Sequence, residues 1–190
     1  MDKENAKKTV VFTNGCFDIL HVGHIDLLNK AKALGDRLIV GLNSDESIRQ
    51  IKGNNRPIIP EAQRYIMLRN LRMVDSVILF DEPDPLILIK KVNPDILVKG
   101  GDWGPDEIIG SDFVKSNGGS VVRIPLVEGI STTNIVNKIK NYYKNHFLNL
   151  LSLAIMNRDG GHYYTEEHGM DKAVEDAKKV YYDLRSERGE

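Results

Sequence analysis

The sequence predicts an α/β protein built on a doubly wound, parallel five-stranded sheet, with a C-terminal helical extension. Three observations carry that expectation. Short runs rich in β-branched and aromatic residues alternate with helix-like segments, as parallel sheets require. The first of these runs passes through a glycine turn into a helix whose start holds two histidines. Polar, glycine-containing segments then follow successive strands, on the carboxyl edge where such sheets bind ligands.

In chain order, Lys8 to Thr13 reads as the first strand, Asn14-Gly15 as a turn and Val22 to Ala33 as a helix with apolar residues at helical spacing. Arg37 to Leu42 is the second strand, and Gln50 to Arg56 a polar loop containing Gly53 and two asparagines. A helix over Pro60 to Arg72 leads to the third strand, Ser76 to Phe80, and a short helix over Pro85 to Lys91 to the fourth, Ile96 to Lys99. Val121 to Pro125 is the fifth strand, and Ser131 opens the last helix of the domain. Right-handed crossovers between these strands give the doubly wound order. The domain is expected over residues 8–143 and the extension over 144–190.

Composition excludes several classes of function. A length of 190 residues suits one domain plus an appendage, and a net charge of −1 offers no electrostatic case for a nucleic acid or an acidic membrane. The lone cysteine, Cys16, rules out an intramolecular disulfide framework. No stretch approaches the roughly 20 apolar residues of a membrane span, and the N-terminal run is too short for a signal sequence, so a cytoplasmic location is expected.

The segment Thr13-Asn14-Gly15-Cys16-Phe17-Asp18-Ile19-Leu20-His21-Val22-Gly23-His24 carries the chemistry. A helix N-terminus has unpaired N–H groups and about half a positive charge, so it attracts phosphate, and imidazoles there add donors as charge builds on phosphorus. Gly23 between the histidines presents no side chain to a close-lying phosphate. Ordinary capping or half-buried histidines are the competing reading.

His21-Val22-Gly23-His24 matches the HxGH signature of the nucleotidyltransferase superfamily, whose members join a nucleoside monophosphate to a phosphorylated acceptor and release pyrophosphate. Asn14-Gly15-Cys16-Phe17-Asp18, Gly41-Leu42-Asn43-Ser44-Asp45, Leu97-Val98-Lys99-Gly100-Gly101-Asp102-Trp103 and Gly129-Ile130-Ser131-Thr132-Thr133 follow in order. Together they resemble the adenylyltransferase domain of the bifunctional heptose-7-phosphate kinase/heptose-1-phosphate adenylyltransferase, over roughly residues 8 to 140. The sugar-kinase domain has no counterpart here, so the likeness is to a stand-alone form of the second activity.

This resemblance implies a Rossmann-like fold and a direct in-line transfer of AMP from ATP to a heptose 1-phosphate, giving an ADP-heptose for lipopolysaccharide core or another surface glycan. It implies that His21, His24 and Lys52 act in catalysis. Asn14, Gly15, Cys16, Phe17, Gly23, Arg64, Gly100, Asp102, Gly129, Ser131, Thr132 and Thr133 would bind the nucleotide with them, and Asp18, Asn43, Asp45, Lys99 and Trp103 the acceptor. Mg²⁺ is expected to ride mainly on the triphosphate and water, since no carboxylate cage is evident and protein ligands to Mg²⁺ are usually few. A structural alternative stands beside each role. Lys52 could be a solvated loop lysine, Arg64 a surface ion pair with Glu61, and Ser131 a plain helix cap. Asp18 and Asp102 could be turn aspartates bonding their own backbone, and Trp103 packing on the sheet edge. Cys16 is not expected to be a nucleophile, because no histidine with an orienting carboxylate partners it.

Cytidylyltransferases for glycerol 3-phosphate share the HxGH turn and the Gly-Ile-Ser-Thr-Thr element but usually carry an arginine shortly before it. Leu126-Val127-Glu128 here has no cation, which favours ATP over CTP. A non-catalytic nucleotide-binding module is the alternative from another class. The extension matches nothing in this pattern. Asn145 to Met156 is strongly apolar, Asn157 to Gly161 reads as a break and Met170 to Arg188 as an amphipathic helix. Phe147, Leu148, Leu150, Leu151, Leu153 and Ile155 are expected to pack on the domain or on a second copy, so a homo-oligomer, most simply a dimer, is expected. His162 and His168 read as solvated residues, not as a metal site.

Overall fold

The computed structural model describes residues 7–101 and 108–158 together with positions 175, 179 and 182. Contacts divide the chain into two compact units, residues 1–132 and 133–190.

The first unit carries five parallel strands, β1 (Val10–Gly15), β2 (Arg37–Asn43), β3 (Ser76–Phe80), β4 (Ile96–Gly100) and β5 (Ser120–Ile124), in the order β3-β2-β1-β4-β5. Val10 lies opposite Arg37, and Val11 opposite both Leu38 and Ile96, so β1 is the central strand at which the order reverses. The predicted doubly wound sheet is therefore present.

Side-chain alternation builds a core on each face. Val11, Leu38, Val40 and Val98 point to one side with Leu27, Leu28 and Ala31 of α1 (Val22–Lys32) and Leu68 of α3 (Glu61–Arg69). Phe12, Ile39 and Leu97 point to the other, with Leu88 and Ile89 of α4 (Leu86–Val92) and Val114 of α5 (Ser111–Ser116). Gly41 sits where the second layer comes closest. A Cβ there would lie 2.8 Å from the Phe12 ring and 3.1 Å from Leu88.

An aspartate before three of the strands ties off the amino edge. The Asp36 carboxylate accepts from Thr9 N–H (2.7 Å), that of Asp75 from Leu38 N–H (2.7 Å) and that of Asp95 from Val10 N–H (2.9 Å). These bonds satisfy amides at the amino ends of β1 and β2, on the edge opposite the strand ends that carry the motifs.

Three helices differ from the expectation. α2 (Asp45–Lys52) occupies the start of what reads as a polar loop, because Ser44 caps it, accepting from Ser47 N–H at 3.1 Å, and Asp45 and Glu46 favour its first turn. Its one buried apolar side chain, Ile48, leaves too weak a periodicity to read from sequence. α5 is six residues long and was hidden for the same reason. α3 ends at Arg69, three residues early, where Asn70 turns its side chain onto Ile66 C=O at 2.8 Å.

The second unit is described mainly by α6 (Thr132–Arg158), one 27-residue helix that runs through position 144 without interruption. Tyr142, Tyr143 and Phe147 are exposed on it, and Leu148 is buried. Glu175, Lys179 and Tyr182 are helical; the remainder of the expected second helix, with His162 and His168, lies outside the described residues.

Candidate active site

At the carboxyl edge β1 ends in Asn14-Gly15 and the chain turns through residues 16–21 into α1. Phe17 (φ 46°) and Ile19 (φ 51°) both adopt left-handed backbone, unfavourable for bulky and β-branched side chains, and such strain persists only where surrounding structure imposes it. Here the surroundings are a stack of rings. Gly15 makes room for the Phe17 ring, since a Cβ would lie 3.2 Å from it. Phe17 in turn packs on His24 with centroids 5.1 Å apart, and His24 stacks on His21 at 3.8 Å and 19°. Gly23 is required by the same stack, because a Cβ would meet the His21 imidazole at 3.1 Å.

His21 is the N-cap of α1, its carbonyl accepting from His24 N–H at 2.9 Å, while its side chain makes no capping bond. Nδ1 of both histidines is buried without a hydrogen-bond partner among the described residues. Unpaired buried polar atoms are costly, so a pair of them at a helix N-terminus marks a place prepared for a ligand. Burial depresses the His21 imidazole below its usual pKa. His24 is pushed down to about 4, first by burial and then by the charges of His21 and Lys52, with Asp18 opposing. Both rings are neutral at pH 7.

A cleft of about 180 Å³ opens beside this stack. His24, Asn14, Gly15, Cys16 and Thr132 line it, with Lys52 and Arg56 from the segment after β2 and Lys99 and Gly100 from β4. Lys52, the last residue of α2, is exposed at the rim. Lys99 donates to Asn14 Oδ1 at 3.2 Å, and burial pulls its ammonium below the usual lysine pKa, with Cys16 opposing. The hydroxyl of Thr132, the last residue of the first unit, donates to Asp18 C=O at 2.5 Å. Gly129 adopts φ 73°, a left-handed turn that leads into Ser131.

Four of the expected ligand residues make hydrogen bonds within the protein, and Asp18 among them also lines the cleft. Arg64 is fully buried, and its ion pair is with Asp45, not with Glu61. Its Nε donates to Ile59 C=O (2.8 Å), its Nη1 to Cys16 C=O (2.6 Å) and Asn43 C=O (2.9 Å), and its Nη2 to Asp45 Oδ1 (2.7 Å). That use also occupies Asp45, whose N–H is held by Glu61 at 2.7 Å. Asn43 is 4% exposed and donates to Ser47 Oγ at 2.9 Å. Asp18 is 1% exposed and accepts from Arg56 Nε (2.8 Å) and the N–H groups of Ile58 and Ile59 (2.9 Å each). Burial alone would raise its carboxyl, but the two amides and the guanidinium outweigh it and hold the pKa below the usual value. These side chains fasten residues 53–60 to the HxGH turn. Arg56 was not expected in the cleft; its position in the basic loop Lys52 to Arg56 was the one sequence signal. Asp102 and Trp103 lie outside the described residues.

The neutral His24 has a consequence for stability. Its folded pKa lies below the unfolded value of about 6.5, so its contribution is complete above pH 6.5 and lost as the pH falls towards 4. In melts between pH 7 and 4.5, the wild-type Tm should fall more steeply than that of His24→Gln. Parallel curves would show that His24 does not titrate as its burial requires.

A family model described as cytidylyltransferase-like matches residues 12–138. The bifunctional protein HldE of Syntrophotalea carbinolica is 56% identical over 137 residues, covering 72% of this chain and 28% of that protein. HldE of Campylobacter fetus is 54% identical over 137 residues, covering 72% and 29%. The chain thus spans less than a third of the length of these curated relatives. The crystal structure of the lipopolysaccharide core biosynthesis protein from Thermoplasma volcanium is 34% identical and covers 64% of this chain and 98% of that one, with a TM-score of 0.53. With its parallel sheet, its HxGH turn at the central strand and a family match over two-thirds of its length, the chain belongs to the cytidylyltransferase-like family.

Proposed function

We propose that the protein is a nucleotidyltransferase that moves AMP from ATP to D-glycero-D-manno-heptose 1-phosphate, forming ADP-heptose and pyrophosphate. The observation that carries the reading is the stacked, neutral His21–His24 pair at the start of α1, beside a cleft edged by Lys52 and Lys99. The identity with the HldE proteins and the sequence resemblance supply the choice of substrates.

A phosphate oxygen of the acceptor attacks the α-phosphorus in line. One P–O bond forms as the bond to the β-phosphate oxygen breaks, and the electron pair leaves with pyrophosphate. The acceptor is already an anion, so positioning and charge neutralisation dominate and no strong base is required. His24, backed by His21, donates to the α-phosphate as charge grows there, assisted by the helix dipole. Lys52 and Thr132 hold the β- and γ-phosphates, and Ser131 adds a donor at the same turn. Asn14, Gly15, Cys16, Phe17 and Gly100 form the nucleotide wall, and Lys99 takes the acceptor phosphate. Mg²⁺ enters as part of the substrate MgATP, held mainly by the phosphates and water, since Mg²⁺ usually takes few protein ligands.

Pyrophosphate release with Mg²⁺ tests the proposal, with ATP and CTP each offered D-glycero-D-manno-heptose 1-phosphate and glycerol 3-phosphate. Release with ATP and the heptose phosphate alone is expected. Release with CTP and glycerol 3-phosphate would replace the reading by a polyol-phosphate cytidylyltransferase, and nucleotide binding without release by a binding module.

A further inference from the structure

Arg56 is the cleft cation to which neither the sequence motifs nor the family resemblance assigns a part. Its Nε donates to Asp18 Oδ2 at 2.8 Å and its Nη2 forms an ion pair with the same oxygen at 2.7 Å, so one edge of the guanidinium is fixed. Nη1 has no partner among the described residues. The side chain is 15% exposed and lines the cleft together with Lys52, His24 and Thr132. Asp18 does not simply cancel this charge, since Ile58 and Ile59 N–H groups share its carboxylate.

The strand order decides which anion Arg56 faces. The segment bearing Lys52 and Arg56 follows β2, on one side of β1, whereas Lys99 belongs to β4 on the other. One side of the cleft therefore offers two cations and the other one. The leaving pyrophosphate carries more negative charge than the sugar monophosphate, and a planar guanidinium suits two phosphate oxygens at once. We propose that Arg56 binds the β,γ-phosphates of the nucleotide, with Asp18 as its positioning residue, in the place that Arg64 was expected to fill. This assignment rests on the nucleotidyl-transfer reading for its substrate and on the geometry of the pair for its residue.

The test titrates inorganic pyrophosphate and MgATP calorimetrically into wild type, Arg56→Lys, Arg56→Ala and the charge-balanced Asp18→Asn/Arg56→Ala protein, with steady-state kinetics alongside. Arg56→Ala should weaken pyrophosphate binding about tenfold or more and raise the KM for ATP in step, as loss of a charge-assisted contact does. The KM for the sugar phosphate should stay within about twofold, and lysine should restore part of the affinity. The double variant carries the same expectation if the single one fails to fold. Unchanged pyrophosphate affinity in the alanine variants, or a rise confined to the KM for the sugar phosphate, overturns the assignment. If wild type binds pyrophosphate through Arg56 yet no nucleotide and acceptor pair reacts, the transfer reading falls while the pyrophosphate site stands.

Discussion

Replacing Arg64 by methionine lowers the stability of the first unit by about 3–5 kcal/mol, the cost of breaking a buried ion pair from one side. The magnitude follows from what the guanidinium holds. Three backbone carbonyls, those of Cys16, Asn43 and Ile59, and the Asp45 carboxylate converge on a side chain with no solvent exposure. Methionine fills the volume but strands every acceptor, and a carboxylate loses its counter-charge. Native proteins hold only about 5–15 kcal/mol in reserve, so a loss of this size moves Tm by roughly 6–20 °C. Lysine keeps the charge but cannot reach four acceptors in the plane of a fork, and should recover less than half of the loss. Urea melts monitored by circular dichroism measure this directly. A Tm within about 2 °C of wild type would show that Arg64 is not the clamp its bonds describe. The folded fraction of the variant should bind ATP with near-native affinity, because the side chain is buried away from the cleft. A stable protein that has lost nucleotide affinity would return Arg64 to the phosphate-binding role its motif suggests.

Arg64 also shows where the sequence stops being readable. The sheet was legible because parallel strands buried on both faces leave short apolar runs, such as Leu38 to Leu42, bounded by turn residues. The HxGH turn was legible because two histidines after a strand and a glycine have few structural uses. A lone arginine in Glu61-Ala62-Gln63-Arg64 looks the same whether it faces a phosphate or four internal acceptors. The difference lies in Cys16, Asn43 and Ile59, whose contribution is backbone carbonyls that any side chain could accompany. The bonds of Asp18 were hidden for the same reason, since its partners include the N–H groups of Ile58 and Ile59. Motif membership thus pointed to segments that meet at the carboxyl edge, while the division into residues that line the cleft and residues that bond behind it needed coordinates.

Alanine at His24 should lower kcat by about 10²–10³-fold, the usual cost of losing one preorganised donor at a developing charge. His21→Ala should cost less, because His24 lines the cleft and His21 stacks behind it at 3.8 Å. The double variant should lose little more than His24→Ala alone, as the two rings work as one unit and their effects are not additive. Thermal melts at pH 7.5 control for folding, since neither ring is charged there and loss of the stack removes only contact area. The protonation state gives a second readout. Free His24 titrates near 4, depressed first by burial and then by the positive charges of His21 and Lys52. A bound triphosphate brings negative charge beside the ring, which raises that pKa and draws in a proton at pH 6, where free His24 is unprotonated. Calorimetry of MgATP in two buffers of different ionisation enthalpy should therefore report net proton uptake at pH 6, absent in His24→Gln. Equal heats in both buffers for wild type would place the triphosphate away from His24, and kcat unchanged in His24→Ala would remove the imidazole from the reaction.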